Sequence, residues 1–211
     1  MKNSWQILTL LLAVALVVLT IKVTILDSKK VPETVTIDKE EIIIENIMSR
    51  SSVRTYTSKK VEDEKIEKIL RAGMSAPTAG NKQPWSFVVI KDRATLDAIP
   101  PIIKGAHMAA KAQLAIVVCG SPEKDLVPGY WIQDCSAATE NILLAAHGMG
   151  LGAVWCGAFP ENGSGKVEAM KKLLNLPEST FALNVIVIGY PDKEPVVKDK
   201  WDASKIHYDK Y

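Results

Sequence analysis

The sequence predicts an α+β fold, in which helices cover a sheet of short strands, for the chain beyond residue 38. Three observations support this prediction. Apolar residues recur through Asp63–Met74 at the spacing of one buried helix face. The stretch Trp131–Gly148 is predicted to be the longest helix. Short β-branched runs bounded by charged residues, Gly or Pro, such as Leu114–Cys119, are typical of strands.

Helices and strands are expected to alternate along the domain. The expected helices are Lys39–Met48, Asp63–Met74, Trp131–Gly148 and Lys166–Leu174, and the expected strands are Ser86–Ile90, Leu114–Cys119, Gly152–Gly157 and Leu183–Gly189. The longest helix carries small residues that let another helix approach closely, within one monomer or across a subunit interface: Ala137, Ala138, Ala145 and Ala146. Gly148 or Gly150 can end this helix in the left-handed conformation.

The first 26 of the 211 residues differ from the rest, and we expect residues 1–26 to form a transmembrane anchor. The 19 residues from Asn3 to Ile21 carry no charge, and those after Gln6 are almost all Leu, Val, Ile, Ala and Thr. A bilayer core requires about 20 apolar residues. A cleaved signal peptide is the competing interpretation, because Lys2 precedes the apolar run, but no small-x-small cleavage site follows that run.

Residues 27–38 are charged and lack aromatic residues, so we expect a tether there, followed by a catalytic domain over residues 39–211. Three lysines follow the apolar stretch by residue 30, whereas one precedes it. This bias in positive charge favours a domain on the cytoplasmic side. The expected localisation is therefore membrane-anchored, with a cytoplasmic domain.

A short polar segment, Arg50–Arg54, has the composition of a phosphate site. Side chains two apart share a face in an extended segment, so Arg50, Ser52 and Arg54 would present two guanidinium groups and a hydroxyl to one point. Such a cluster suits a phosphate dianion. A solvated basic surface is the alternative interpretation.

A second polar stretch, Ala76–Trp85, lies one helical segment later. Its Pro and Gly residues keep it a loop, and the amides of Asn81 and Gln83 can bind ring carbonyls and ring nitrogens. The two stretches together predict a site for a flat heteroaromatic ring that carries a phosphate tail.

These residues resemble the FMN-dependent nitroreductase family. Its domain opens with an Arg-x-Ser-x-Arg or Lys segment and continues into a Ser/Pro-rich loop that ends in Asn-x-Gln-Pro-Trp. The resemblance spans roughly Ile43 to Tyr208 and includes Asp134–Gly152, which is similar to the family's long central helix and the glycine turn after it. It implies a mixed, mainly antiparallel sheet flanked by helices, rather than a doubly wound sheet, in a homodimer.

The resemblance also implies the residues of the site. Trp155, Cys156 and Gly157 correspond to a strand end whose backbone reaches the flavin edge. Lys198 and Lys200 correspond to a basic pair that reaches the FMN phosphate, with a solvated tail as the alternative. The complete set of expected cofactor-binding residues is Arg50, Ser51, Ser52, Arg54, Pro77, Asn81, Gln83, Trp155, Cys156, Gly157, Lys198 and Lys200. No catalytic side chain and no metal are expected, because FMN carries the chemistry.

The resemblance implies hydride transfer from NADH or NADPH to the flavin and then to a small acceptor, such as a nitroaromatic or a quinone, with ping-pong kinetics. Arg50 or Arg54 would stabilise the reduced flavin, and the Ala76–Trp85 loop would reach the partner's flavin across the dimer interface. Two alternatives remain. One is a related flavin enzyme, such as a reductive dehalogenase or a flavin-fragmenting enzyme, and the other is a non-catalytic membrane-tethered flavin electron-relay module.

Several patterns in the sequence resemble motifs of other function classes but are incomplete or misplaced. Gly148–Ala153 matches a dinucleotide fingerprint, but it closes a helix and leads into a strand. Gly163–Val167 resembles a P-loop but lacks its first Gly and its Ser or Thr. Cys119, Cys135 and Cys156 lie too far apart for a C-x-x-C metal or redox motif. The net charge of +2 gives no case for nucleic acid.

Overall fold

A computed structural model describes residues 2–27, 38–159 and 165–211 of the chain. The chain divides into two compact units, the first ending at Ile42 and the second running from Ile43 to Tyr211. Most of the tether expected at residues 27–38 lies outside the described residues, as does the first part of the Gly163–Val167 loop.

Residues 2–27, where the membrane anchor was expected, form the helix α1 (Lys2–Asp27). Within the residues that the structure describes, no helix is both long and apolar enough to cross a membrane. The predicted transmembrane anchor is therefore wrong, and so is the localisation that depended on it.

The remaining helices and strands alternate as the sequence predicts. They are α2 (Lys39–Ser49), α3 (Asp63–Met74), β1 (Trp85–Ile90), α4 (Arg93–Ile102), β2 (Leu114–Gly120), α5 (Tyr130–Gly148), β3 (Gly152–Gly157), α6 (Lys166–Leu174) and β4 (Phe181–Gly189). Short 3₁₀ helices occupy Ala79–Asn81, Lys104–Ala110, Pro122–Lys124 and Ala203–Lys205. The expected helices and strands are present with ends shifted by at most two residues, and the α+β fold is confirmed.

The four strands form one sheet in the order β1-β2-β4-β3, in which every neighbouring pair is antiparallel. In the described part of the chain, parallel pairing occurs only as an isolated bridge between Ser52 and Ala153. The sheet is therefore mainly antiparallel, as predicted. β2 is buried along its whole length, because helices cover both faces of the sheet and its side chains enter the two apolar clusters on either side.

The long helix α5 packs against α3 on one face of the sheet. Gly73 makes this contact close, because a Cβ atom there would lie 2.9 Å from Cγ1 of Ile142. Two of the predicted small residues, Ala138 and Ala146, are fully buried within the single chain. The helix ends before Gly150, whose φ of +74° is the left-handed conformation expected at one of the two glycines.

The helix α4 is absent from the sequence prediction. Its N-cap is Asp92, whose carboxylate accepts a hydrogen bond from Thr95 N–H at 2.8 Å. Pro100 and Pro101 lie in its last turn. Proline normally breaks the interior of a helix, so the sequence of this segment does not look helical. The helix forms nevertheless, because the N–H groups that the prolines lack affect only its last turn.

Candidate functional site

The segment Arg50–Arg54 lies along the edge of β3 in extended form. Ser52 forms the parallel bridge with Ala153, and Val53 N–H donates to the Ala153 carbonyl at 3.0 Å. Val53 is buried while Ser52 and Arg54 are exposed, which is the alternation expected of an extended segment. Gly152 allows this close approach, because a Cβ there would lie 2.6 Å from Cβ of Val53.

The exposed face of this segment forms a basic cleft with the C-terminal tail. The cleft has a volume of about 260 Å³ and is lined by Arg50, Ser51, Ser52, Arg54, Val196, Lys198 and Lys200. The structure thus brings together two groups of predicted residues that lie far apart in the sequence. Two guanidinium and two ammonium groups around one small cleft make it suitable for an anion.

Arg50 is the most sheltered of these cations. Its side chain is 18% exposed, and its Nε lies 3.4 Å from Oε1 of Glu140 on α5. Two turns further along α5, Nε2 of His147 lies 2.8 Å from Oγ of Ser49. Partial burial, and to a lesser extent the charge of Arg50, lowers the pKa of His147.

Sequence reasoning missed the neighbours of Arg50. Glu140 and His147 are seven residues apart on α5, a spacing that puts both on one helix face. That spacing was the available signal. It indicates a shared face but not which segment the face contacts.

The predicted ring-binding loop is built from left-handed residues. Gly80, Asn81 and Gln83 have φ values of 55°, 54° and 49°. Asn81 and Gln83 are exposed, and Nε2 of Gln83 donates to Oδ1 of Asn81 at 3.1 Å. Pro77 is also exposed, at the start of this turn. Residues of this loop are not among those that line the basic cleft of the same chain.

The loop is attached to α5 by a buried carboxylate. Ala79 N–H donates to Oδ1 of Asp134 at 3.1 Å, and Asp134 is only 6% exposed. Gly80 packs beside Leu126, since a Cβ at Gly80 would lie 2.9 Å from Cδ2 of Leu126. Neither contact was predicted from the sequence.

The C-terminal end of β3 presents both an aromatic side chain and open backbone. Trp155 is 37% exposed, and a Cβ at the exposed Gly157 would meet no atom within 4 Å. The thiol of Cys156 points away, with Sγ 3.4 Å from the carbonyl of Gly105, and burial raises its pKa to about 11. Cys156 can therefore offer its backbone to a ligand, but not a reactive thiolate at neutral pH.

The fold and these features define an α+β protein with a basic cleft and an exposed end of strand β3. A model of the nitroreductase family matches residues 47–127 and 128–190. The chain belongs to the nitroreductase family.

Three relatives illustrate this membership. A protein of Methanothermobacter thermautotrophicus, provisionally named NADH dehydrogenase/NAD(P)H nitroreductase, is 41% identical over 169 residues, 80% of this chain and 87% of the relative. The structure of an FMN-dependent nitroreductase from Clostridium difficile has a TM-score of 0.75 and 30% identity, over 80% of this chain and 99% of that one. An NADPH:FMN oxidoreductase from Vibrio harveyi, solved in complex with NAD⁺, has a TM-score of 0.70 and 26% identity, over 81% and 78% of the two chains.

Proposed function

We propose that this chain is an FMN-dependent oxidoreductase that passes hydride from NADH or NADPH to a small acceptor, such as a nitroaromatic or a quinone. The names of its relatives support an enzyme of the NAD(P)H nitroreductase kind, two of them with FMN in the name. The observation that carries the proposal is the cleft formed by Arg50, Arg54, Lys198 and Lys200. A cleft of about 260 Å³ lined by four cations fits one phosphate group rather than a dinucleotide.

The residues present fit FMN. In the proposed complex, the guanidinium groups of Arg50 and Arg54 hold the phosphate, with Ser51 and Ser52 as further donors. Lys198 and Lys200 add positive charge from the opposite wall. Gly157 leaves space for the backbone to approach the ring edge, and the loop that carries Pro77, Asn81 and Gln83 supplies amides for the polar atoms of a ring.

When bound, FMN supplies the capacity to accept a hydride and pass it on. The residues of the chain would bind and orient the ring, and a face of the ring left accessible to solvent would be the place where the two substrates react. The nicotinamide donor and the acceptor use that accessible place in turn, so the kinetics are ping-pong. A quinone acceptor gains the hydride and one proton from solvent and leaves as the hydroquinone, while the donor leaves as NAD⁺ or NADP⁺.

We also propose that the working form is a homodimer. The loop with Asn81 and Gln83 does not line the basic cleft of its own chain, so a second copy could supply the ring-binding half of each site. Apolar side chains are exposed on α2 and on the tail, and such a surface is typical of a protein interface. These side chains are Ile43, Ile44, Ile47, Met48, Val196, Val197, Trp201 and Tyr208.

Anaerobic reduction of the full-length chain tests the proposed function. The purified protein should bind FMN and turn yellow, and NADH or NADPH should bleach it rapidly. A nitroaromatic or quinone should then restore the colour. A protein that binds FMN but is not reduced by either nicotinamide would indicate an electron relay fed by another donor. A chain that stays colourless with added FMN would refute the proposal.

A further inference from the structure

The loop expected to contact the flavin ring has a conformation that needs external support. Gly80, Asn81 and Gln83 are all left-handed, a conformation that Gly and Asn tolerate but that is strained for the Gln83 side chain. Within the loop, Gln83 N–H donates to Oγ1 of Thr78 at 3.2 Å. Thr78, as the N-cap of the 3₁₀ turn, makes no side-chain bond to the start of that turn.

The support comes from α5, 55 residues away in sequence. Asp134 Oδ1 accepts the hydrogen bond from Ala79 N–H, which opens the 3₁₀ turn Ala79–Asn81. A carboxylate is an effective cap for a free N–H at a turn or helix start, and this one is almost wholly buried. Its side chain belongs to α5, a helix of 19 residues, so the contact fixes the loop to a rigid element.

We propose that Asp134 is the positioning residue of the ring-binding loop. Its carboxylate caps the turn at Ala79 and thereby holds the amides of Asn81 and Gln83 in the left-handed arrangement that they need to contact the ring. Asp134 itself touches neither cofactor nor substrate. This inference rests on the proposed function, because the ring is that of FMN.

Two substitutions remove the hydrogen-bond acceptor in different ways. D134L replaces the carboxylate with a larger apolar group, whereas D134A leaves room for water, so the loss of the acceptor can still be tested if one variant fails to fold. D134N retains an acceptor oxygen and should rescue much of the effect. The control is T139V, because Thr139 is fully buried on the same helix, and its hydroxyl donates to the carbonyl of Cys135 at 2.7 Å and accepts from Nδ2 of Asn184 at 2.9 Å. The control loses two buried hydrogen bonds of α5 without touching the loop.

Hydrogen exchange of the apoprotein tests the inference without any cofactor. The Ala79 amide should exchange about tenfold faster in D134L or D134A, which corresponds to about 1.4 kcal/mol of lost local protection. In D134N and T139V it should exchange at close to the wild-type rate. Equal exchange at Ala79 in all variants would overturn the inference, whatever the protein binds.

Binding of FMN and of inorganic phosphate, each measured by calorimetry, separates the loop from the basic cleft. D134L and D134A should bind FMN about tenfold more weakly, because the ring contacts are disordered, and should bind phosphate as the wild type does. If the wild type does not bind FMN, the proposed function fails. If it binds FMN and the Asp134 variants bind it equally tightly, only the present inference fails. Equal weakening of FMN and phosphate would mean a general structural defect and would also overturn it.

Discussion

At the residue scale, the basic cleft combines two kinds of cation with different capacities. A guanidinium group makes two charge-assisted hydrogen bonds to a phosphate in fixed geometry, whereas an ammonium group is a point charge on a flexible stem. Arg50 is sheltered and held by Glu140, while Lys198 and Lys200 lie exposed on the tail. The arginines are therefore better prepared to bind an anion than the lysines.

Replacement of the cleft cations should reveal this difference. We expect R50A and R54A each to weaken FMN binding by about 1.5 to 3 kcal/mol, the usual loss for a hydrogen bond to a charged group. K198A and K200A should cost less, because solvent and salt screen their charges. Fluorescence titration of FMN measures the dissociation constants, with R71A as a control on the exposed face of α3. Equal losses at all four positions, or losses only at the lysines, would contradict the assigned phosphate site.

The three cysteines should be inert while the protein is folded. Burial raises the pKa of Cys119 and Cys135 to about 12 and that of Cys156 to about 11. Only the thiolate reacts with iodoacetamide, and below these pKa values the folded protein holds almost none. At pH 8 we expect no labelling by mass spectrometry in the folded state and labelling of all three after unfolding in guanidinium. Rapid labelling of folded Cys156 would show that its thiol opens to solvent.

At the element scale, the position of the Arg50–Arg54 segment depends on its close contact with β3. The contact requires the absence of a side chain at Gly152, where a Cβ would lie within 3 Å of three side-chain atoms of Val53. A shift of Val53 would move Arg54 and Ser52, its neighbours on the opposite face. The positions of Ser52 and Arg54 in the basic cleft therefore depend on the absence of a side chain at Gly152 of β3.

The variant G152A tests this link. We expect it to lose about 1 to 3 kcal/mol of unfolding free energy, the usual cost of overpacking, and to bind FMN more weakly. G105A is the matched control, because a Cβ at Gly105 would meet no atom within 4 Å. Thermal unfolding and FMN titration of both variants provide the measurements. A G152A protein as stable as G105A would mean that the segment adjusts without cost.

The elements differ in how far the sequence could predict them. The amphipathic spacing of α3 and the β-branched runs of β2 and β4 are local signals, and they led to nearly correct boundaries. The helix α4 was not predicted because it contains two prolines, which it accommodates in its last turn. The anchor expected at α1 is not supported, because no helix in the described part of the chain is both long and apolar enough to cross a membrane.

Residue patterns alone predicted only the part of the candidate site whose residues are close in sequence, and the family resemblance added Lys198 and Lys200. Arg50, Ser52 and Arg54 share a face because of the strand period, and that face lines the basic cleft. The contacts of Asp134 with the loop and of Glu140 with Arg50 join segments 55 and 90 residues apart. No local pattern encodes which face of α5 meets which segment, so tertiary packing alone reveals these supports.

At the scale of the whole molecule, cofactor binding should stabilise the fold by mass action. FMN at one hundred times its dissociation constant adds about 2.7 kcal/mol, which raises the melting temperature by roughly 5 to 10 °C for a chain of this size. Riboflavin, which has the same ring without phosphate, is the matched control and should produce a smaller shift at equal concentration. Differential scanning fluorimetry of the full chain measures both shifts. Equal shifts would mean that the basic cleft contributes no binding energy.

The Ser52–Ala153 bridge has a consequence for self-association. β3 is an edge strand, and an uncovered edge presents backbone N–H and C=O groups to which another chain can add a strand. In this protein the segment over that edge also carries the guanidinium groups of the cleft, so an anion bound in the cleft would help to hold the segment against the edge. A preparation stripped of FMN should therefore scatter more light on storage than a loaded one, because an open sheet edge is a template for aggregation.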